Sequence, residues 1–99
     1  MFLVIYRPGP GWLAGKSVSE QPLTEHGRYL LGLYRNGTMK LAGPFTDDAG
    51  GAVVLEVDST TEASDIVAND PAVKMSIFVS ELHPWRLVPW EHHLKKADD

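Results

Sequence analysis

"TMKLAGPFTDDAGGAVVLEV", residues 38–57, holds two β-prone runs separated by a turn. In 38–45, Met39 and Leu41 alternate with polar neighbours until Gly43-Pro44 ends or bends the run. In 52–57, Val53, Leu55 and Val57 share one face, and Ala52, Val54 and Glu56 share the other. Between them, 46–51 carries the Asp and Gly residues of a hairpin loop. A hairpin alone is common. This one has a helical pattern on each side of it.

Upstream, the spacing predicts a helix from Pro22, favoured in a first turn, to about Asn36. Leu23, Gly27, Leu30, Leu31 and Tyr34 form its apolar stripe, and Asn36-Gly37 stops it. Gly27 in mid-helix reads as close backbone packing or room for a ligand. Downstream, Ser59 and Glu62 have capping-box spacing, and Ala63, Ile66 and Val67 follow as a short stripe. That helix fades at Asn69, because Pro71 disfavours helical geometry at Asp70.

Outside these helices lie the outer strands. "FLVIY" (2–6) is a continuous β-prone apolar run, read as a strand covered on both faces. "VKMSIFVSEL" (73–82) reads as the fourth strand, with Ile77 and Val79 on the covered face and Ser76, Phe78 and Ser80 on the other. The order β-α-β-β-α-β predicts an α+β, ferredoxin-like fold. Its four-stranded antiparallel sheet carries both helices on one face. The other face needs cover, and a second copy in a twofold homodimer is the expected occupant. The Pro/Gly-rich loop 7–21 is long for a compact domain, and loops of this length are often functional. At the other end, 83–90 reads as an arm packing on this subunit or a partner, and 91–99 as a polar tail of a single domain spanning 1–99.

Composition removes several classes of function. The 99 residues include no cysteine, which excludes disulfides, Cys-based metal sites and thiol nucleophiles. A secreted domain of this size usually carries disulfides, so a cytoplasmic location is expected. "MFLVIYRPGP" has no basic residue before its short apolar run, so neither a signal peptide nor a membrane span is read there. The net charge is −4, and Lys95-Lys96 is followed at once by Asp98-Asp99. A nucleic-acid partner is not expected from such a surface.

Chemistry then falls to histidines and carboxylates. His92 and His93 are adjacent and point apart, and His83 has no partner at ligand spacing, so no metal site is expected. His26 lies near the start of the first helix, at the border of its stripe. Asp70 precedes Pro71, a common turn signal. The two are 44 residues apart in sequence, yet both helices lie on one sheet face, where the pair can meet. Ser17 and Ser19 are weak nucleophile candidates, and Ser19 is read equally as a cap of the first helix. Arg7 and Arg28 are candidates for an anionic substrate, with surface pairing as the default. Trp12 reads as a pocket wall or a loop anchor. Gly43-Pro44 reads as a strand bend or a place where backbone approaches a ligand.

The stretches "EHGRYLLGLYRNGTMKLAGPFTDDAGGAVVLEV" and "ASDIVANDPAV" resemble the YciI-like (YCII-related) family. The shared pattern is His26, Gly37, Ala42-Gly43-Pro44 and Asp70-Pro71, in that order and spacing, within residues 2–90. The segment 7–21 resembles a subgroup with a lengthened first loop. The resemblance implies a dimeric α+β barrel and an active site built on a His–Asp pair, here His26 and Asp70. It also implies relatives that include a dehydrochlorinase of chlorinated hydroxyhydroquinones, within a superfamily containing muconolactone isomerase and cofactor-free monooxygenases. The expectation is a small acid–base enzyme of lyase or isomerase type without a cofactor, acting on a small organic molecule. Its catalytic residues would be His26 and Asp70, with Arg7, Trp12, Ser19, Gly43 and Pro44 toward the substrate. The alternative expectation is a non-catalytic module that binds a small molecule or another protein.

Overall fold

A computed structural model describes residues 1–98. Its elements are β1 (Phe2–Pro8), α1 (Thr24–Arg35), β2 (Met39–Pro44), β3 (Gly51–Leu55), α2 (Thr60–Ala68), α3 (Pro71–Lys74), β4 (Phe78–Pro84) and α4 (Trp90–Asp98). The four strands form one antiparallel sheet in the order β2-β3-β1-β4. This is the α+β, ferredoxin-like arrangement.

Strand parity sorts the core. In β1, Phe2, Val4 and Tyr6 are buried on the helix-bearing face, opposite Leu55, Val53 and Gly51 of β3 and Pro84, Leu82 and Ser80 of β4. Ala63 and Val67 of α2, Ala72 of α3, and Leu23, Leu30 and Leu33 close over them. Leu3, Ile5, Val54 and Val79 take the other face, which no element among the described residues covers. Ser59 caps α2 by accepting the Glu62 amide at 3.1 Å.

Four local readings change. The first helix starts at Thr24, two residues after Pro22, with Leu23 at its cap position and no side-chain cap. Its inward stripe is Leu23, His26, Leu30 and Leu33, while Leu31 and Tyr34 are exposed. A Cβ built on Gly27 meets nothing within 4 Å, so close packing does not explain that glycine. The proposed start of strand four is the single-turn helix α3. Asp70 caps it and Pro71 opens it, so the strand starts only at Phe78. Ile77 and Phe78 are both buried, and Val79 lies on the uncovered face; this reverses the expected parity. In β2, Met39 pairs with Leu55 but Leu41 pairs with Val54. The bulge at Lys40 therefore leaves Met39 in the core and Leu41 69% exposed, on the opposite face.

The polar tail read at 91–99 is helical as far as Asp98, and its residue 99 lies outside the described residues. Residues 85–89 have no regular secondary structure, and α4 contains no buried residue. No helix among the described residues is long and apolar enough to cross a membrane.

Candidate functional site

His26 enters the site because the first turn of α1 points it inward, three residues after Leu23 and four before Leu30. Asp70 enters because Pro71 stops α2 and lets the chain restart as α3. The Asp70 backbone is extended (φ −66°, ψ 124°), and Oδ1 accepts the Ala72 amide at 2.9 Å. The two ends meet. His26 Nδ1 lies 2.8 Å from both Oδ1 and Oδ2 of Asp70. Asp70 is fully buried and the His26 side chain is 13% exposed.

Tyr6 completes the group. From the helix-bearing face of β1 its hydroxyl donates to Asp70 Oδ2 at 3.1 Å. Burial, and then the neighbouring Asp70 carboxylate, push the Tyr6 hydroxyl well above its ordinary pKa, so it stays a donor. The carboxylate thus receives three hydrogen bonds, from Nδ1–H, a phenol and a backbone amide, as a buried charge requires. Nearby, Tyr29 donates to the Ile66 carbonyl at 2.7 Å and ties α1 to α2. Its hydroxyl is also raised, by burial first and Asp70 second.

With Nδ1–H given to Asp70, Nε2 carries the lone pair of the neutral ring. No protein group among the described residues hydrogen-bonds it, and no buried side-chain polar atom is sealed without a partner. Nε2 is therefore open to a ligand or solvent. Tyr6 and Phe78 meet the imidazole edge-on, with ring centroids 5.5 and 5.4 Å away.

A cavity of about 210 Å³ opens beside the ring. His26, Leu23 and Leu30 form one wall, Ala42, Gly43 and Pro44 another, and Tyr6 and Phe78 the base. The lining is mostly apolar and holds no charged side chain other than a protonated His26. Gly50 fits against the Tyr6 backbone at φ +118°, where an added Cβ would overlap the Tyr6 carbonyl oxygen.

The long first loop borders this cavity through Val18. Gly9 and Gly11 donate to the Ile77 and Ser76 carbonyls at 2.8 and 2.7 Å and extend the β1–β4 pairing. Gln21, nearly buried, accepts the Leu13 amide at 2.7 Å and donates to the Leu13 and Lys16 carbonyls. The Val18 amide then donates to Asp48 Oδ1 at 3.0 Å, fastening the loop to the β2–β3 turn.

Of the other residues nominated from sequence, Gly43 and Pro44 line the cavity. Arg7 does not. It sits on the far face of the sheet and pairs with Glu81 at 3.2 Å. Trp12 stacks on Phe78, with centroids 5.7 Å apart, as an anchor of the loop. Ser19 lies in an exposed 3₁₀ turn against Ser17, caps no part of α1 and does not line the cavity. Arg28 pairs with Glu25 on the outside of α1. No group of three or more His, Asp or Glu residues at metal-binding geometry occurs among the described residues.

Sequence reasoning missed Tyr6, Phe78, Val18 and Gln21. Strand parity in 2–6 already pairs Tyr6 with Phe2 and Val4 and was the available signal for it. The unread turn of α3 hid Phe78. Nothing local marks Gln21, whose three hydrogen bonds all depend on the loop's path.

Comparison with known proteins adds three findings. The YCII-related domain model matches residues 1–86. An uncharacterised protein of Bacillus subtilis (strain 168), YjpA, is 33% identical over 69 residues, covering 70% of this chain and 81% of that protein. A solved structure of 5-chloro-2-hydroxyhydroquinone dehydrochlorinase from Burkholderia phenoliruptrix AC1100, in complex with 2,5-dihydroxybenzoquinone, superposes with a TM-score of 0.62. It is 23% identical, and the match covers 93% of this chain and 98% of that one. At that identity the likeness establishes the fold, which is that of the dimeric α+β barrel group.

Proposed function

Because the chain belongs to the YCII-related domain family, we propose that it is a small acid–base enzyme of the lyase or isomerase type. The observation that carries this reading is the imidazole held 2.8 Å from a buried carboxylate with its other nitrogen unpartnered beside an apolar cavity. His26 Nε2 takes a proton from the substrate, and Asp70 holds the ring in the required tautomer and stabilises the imidazolium that forms. In an elimination, the electron pair of the broken bond becomes a new π bond and the leaving group departs with its own pair. In an isomerisation, the imidazolium returns the proton to a different atom. Neither course needs a protein nucleophile.

Size and charge support a substrate class. An apolar cavity of about 150 Å³ holds benzene, so 210 Å³ suits a single substituted ring. The lining offers no guanidinium or ammonium, which favours a neutral molecule over a carboxylate or phosphate. The ligand named with the dehydrochlorinase structure, 2,5-dihydroxybenzoquinone, is a single substituted ring.

The test is a turnover screen of neutral hydroxylated and halogenated single-ring compounds against wild type, His26→Ala and Asp70→Asn. Turnover by wild type, lost in both variants, is the expected result. Equal turnover in all three sinks the proposal. Tight binding without turnover, kept in His26→Ala, makes the protein a binding module instead.

A further inference from the structure

We propose that Val18 sets the size of ligand the cavity accepts, and that Asp48 is the positioning residue that holds Val18 there. This rests on reading the cavity beside His26 as the ligand site. The other walls come from α1, the sheet and the β2–β3 turn. Among the described residues, Val18 is the one member of the loop 7–21 that lines the cavity. It is half-buried, while Ser19 and Glu20 beside it are exposed. The loop therefore presents its apolar residue to the cavity and its polar ones to solvent.

The loop's path is closely determined up to this point. A Cβ on Gly9 would stand 2.5 Å from the Ser76 carbonyl oxygen, and one on Gly11 would stand 2.7 Å from that of Met75. Glycine alone lets the chain pass so near. Trp12 is then held on Phe78, and Leu13 and Gln21 exchange two hydrogen bonds that close the span between them. The tip of that span is self-contained. The Ser17 hydroxyl donates to Glu20 Oε1 at 3.0 Å, and Lys16 Nζ lies 3.8 Å from Glu20 Oε2.

One bond fixes where the tip stands. The Val18 amide donates to Asp48 Oδ1 at 3.0 Å, and among the described residues no other hydrogen bond ties 17–20 to an element outside the loop. Asp48 has φ +61°, a conformation that Asp, Asn and Gly accept. Pro44 and Gly50, on either side of its turn, line the cavity, as does Leu23, two residues beyond Gln21. The span 13–21 thus bridges the helix wall and the turn wall, with Val18 between them. Val18 also lies outside the core cluster, so shortening it enlarges the cavity and leaves the packing beneath the sheet intact.

The test titrates the protein with phenol and 4-ethylphenol, both neutral near pH 7. Binding is read from the ring ¹⁵N–¹H signals of His26, so that only binding beside that residue counts. A methylene more or less in an apolar pocket changes discrimination about 10- to 200-fold. Val18→Ala is therefore expected to raise the preference for 4-ethylphenol over phenol at least tenfold, and Val18→Phe to lower it. Asp48→Gly keeps the turn and removes the acceptor. It is expected to speed hydrogen exchange of the Val18 amide at least tenfold and to level the preference between the two phenols. Asp48→Asn keeps an acceptor oxygen and is expected to restore both readouts. A preference unchanged in Val18→Ala and Val18→Phe overturns the proposal and leaves the cavity as the ligand site. A preference that moves with Val18 but not in Asp48→Gly overturns the part given to Asp48. If neither phenol moves the His26 signals in any of these proteins, the cavity takes no single ring, and both readings fall.

Discussion

Replacing Asp70 with Asn exchanges one oxygen for nitrogen and, by the geometry of the site, moves one proton. Oδ1 accepts the Ala72 amide at 2.9 Å, so the Asn carbonyl oxygen must occupy that place. The new NH₂ group then stands where Oδ2 was, 2.8 Å from His26 Nδ1 and 3.1 Å from the Tyr6 hydroxyl. The Asn carbonyl oxygen in the Oδ1 place also lies 2.8 Å from Nδ1, but it is already occupied by the Ala72 amide, and a donor now stands at Oδ2. This change favours the neutral imidazole that carries its proton on Nε2 and accepts with Nδ1. In that tautomer the nitrogen that faced the ligand has no lone pair, and the base is gone. The same exchange of tautomer in a Ser-His-Asp triad lowers kcat on the order of 10⁴-fold; a loss on the order of 10³- to 10⁴-fold is expected here. Stability should fall by only about 1 kcal/mol, because α3 keeps its cap and each donor keeps a neighbour. Ring ¹⁵N–¹H NMR of histidine-labelled protein reads the proton directly, without any substrate. Wild type should show neutral His26 protonated at Nδ1, and Asp70→Asn should show it at Nε2. A neutral ring still protonated at Nδ1 in the variant would refute the reasoning, as would turnover within tenfold of wild type.

Asp70→Ala is expected to cost far more stability. It strips the acceptor from three buried or nearly buried donors and removes the α3 cap, for a loss of about 3–5 kcal/mol, measurable as a lowered urea midpoint. Gly50→Ala places a Cβ against the Tyr6 carbonyl at a positive φ. About 2 kcal/mol or more should be lost in thermal or urea unfolding, and an unchanged midpoint would show that the turn is not constrained. Alkaline stability should carry the signature of Tyr6. Its folded pKa is raised above the ordinary 10.0, so the stabilisation is complete below that pH and is lost as pH rises past it. The slope is about 1.4 kcal/mol per pH unit. Urea titrations between neutral and strongly alkaline pH should show that slope in wild type and a shallower one in Tyr6→Phe, where Tyr29 still contributes.

The fold was readable where periodicity ran uninterrupted. The hairpin at 38–57 and its flanking helices gave the order of elements, while the run 2–6, apolar throughout, did not by itself separate the inner from the outer face of β1. Reading failed where one residue reset the period. Asp70-Pro71 both stops α2 and starts α3, and a single helical turn is too short to show a 3.6-residue pattern. The strand was therefore begun early and its parity reversed. The placement of His26 and Asp70 was accessible through topology and family pattern. Arg7 was misleading for a related reason: its distance from strand one's start gives its face by parity, and odd positions in β1 face away from the helices. The cavity's border at Val18 depends on the Asp48 tether between two loops, which no local pattern encodes.

The bulge at Lys40 has a consequence for how relatives of this chain diverge. It shifts the register between Met39 and Leu41, and only beyond it does Ala42 stand opposite Val53 on the ligand side of the sheet. Deleting Lys40 would make the pairing uniform and leave Leu41 opposite Val54, Ala42 opposite Val53 and Pro44 opposite Gly51, each on its present face. A length change of one residue at this point would thus leave the small wall of the cavity as it is. In this lineage β2 can gain or lose a residue at the bulge while the surface beside His26 stays the same.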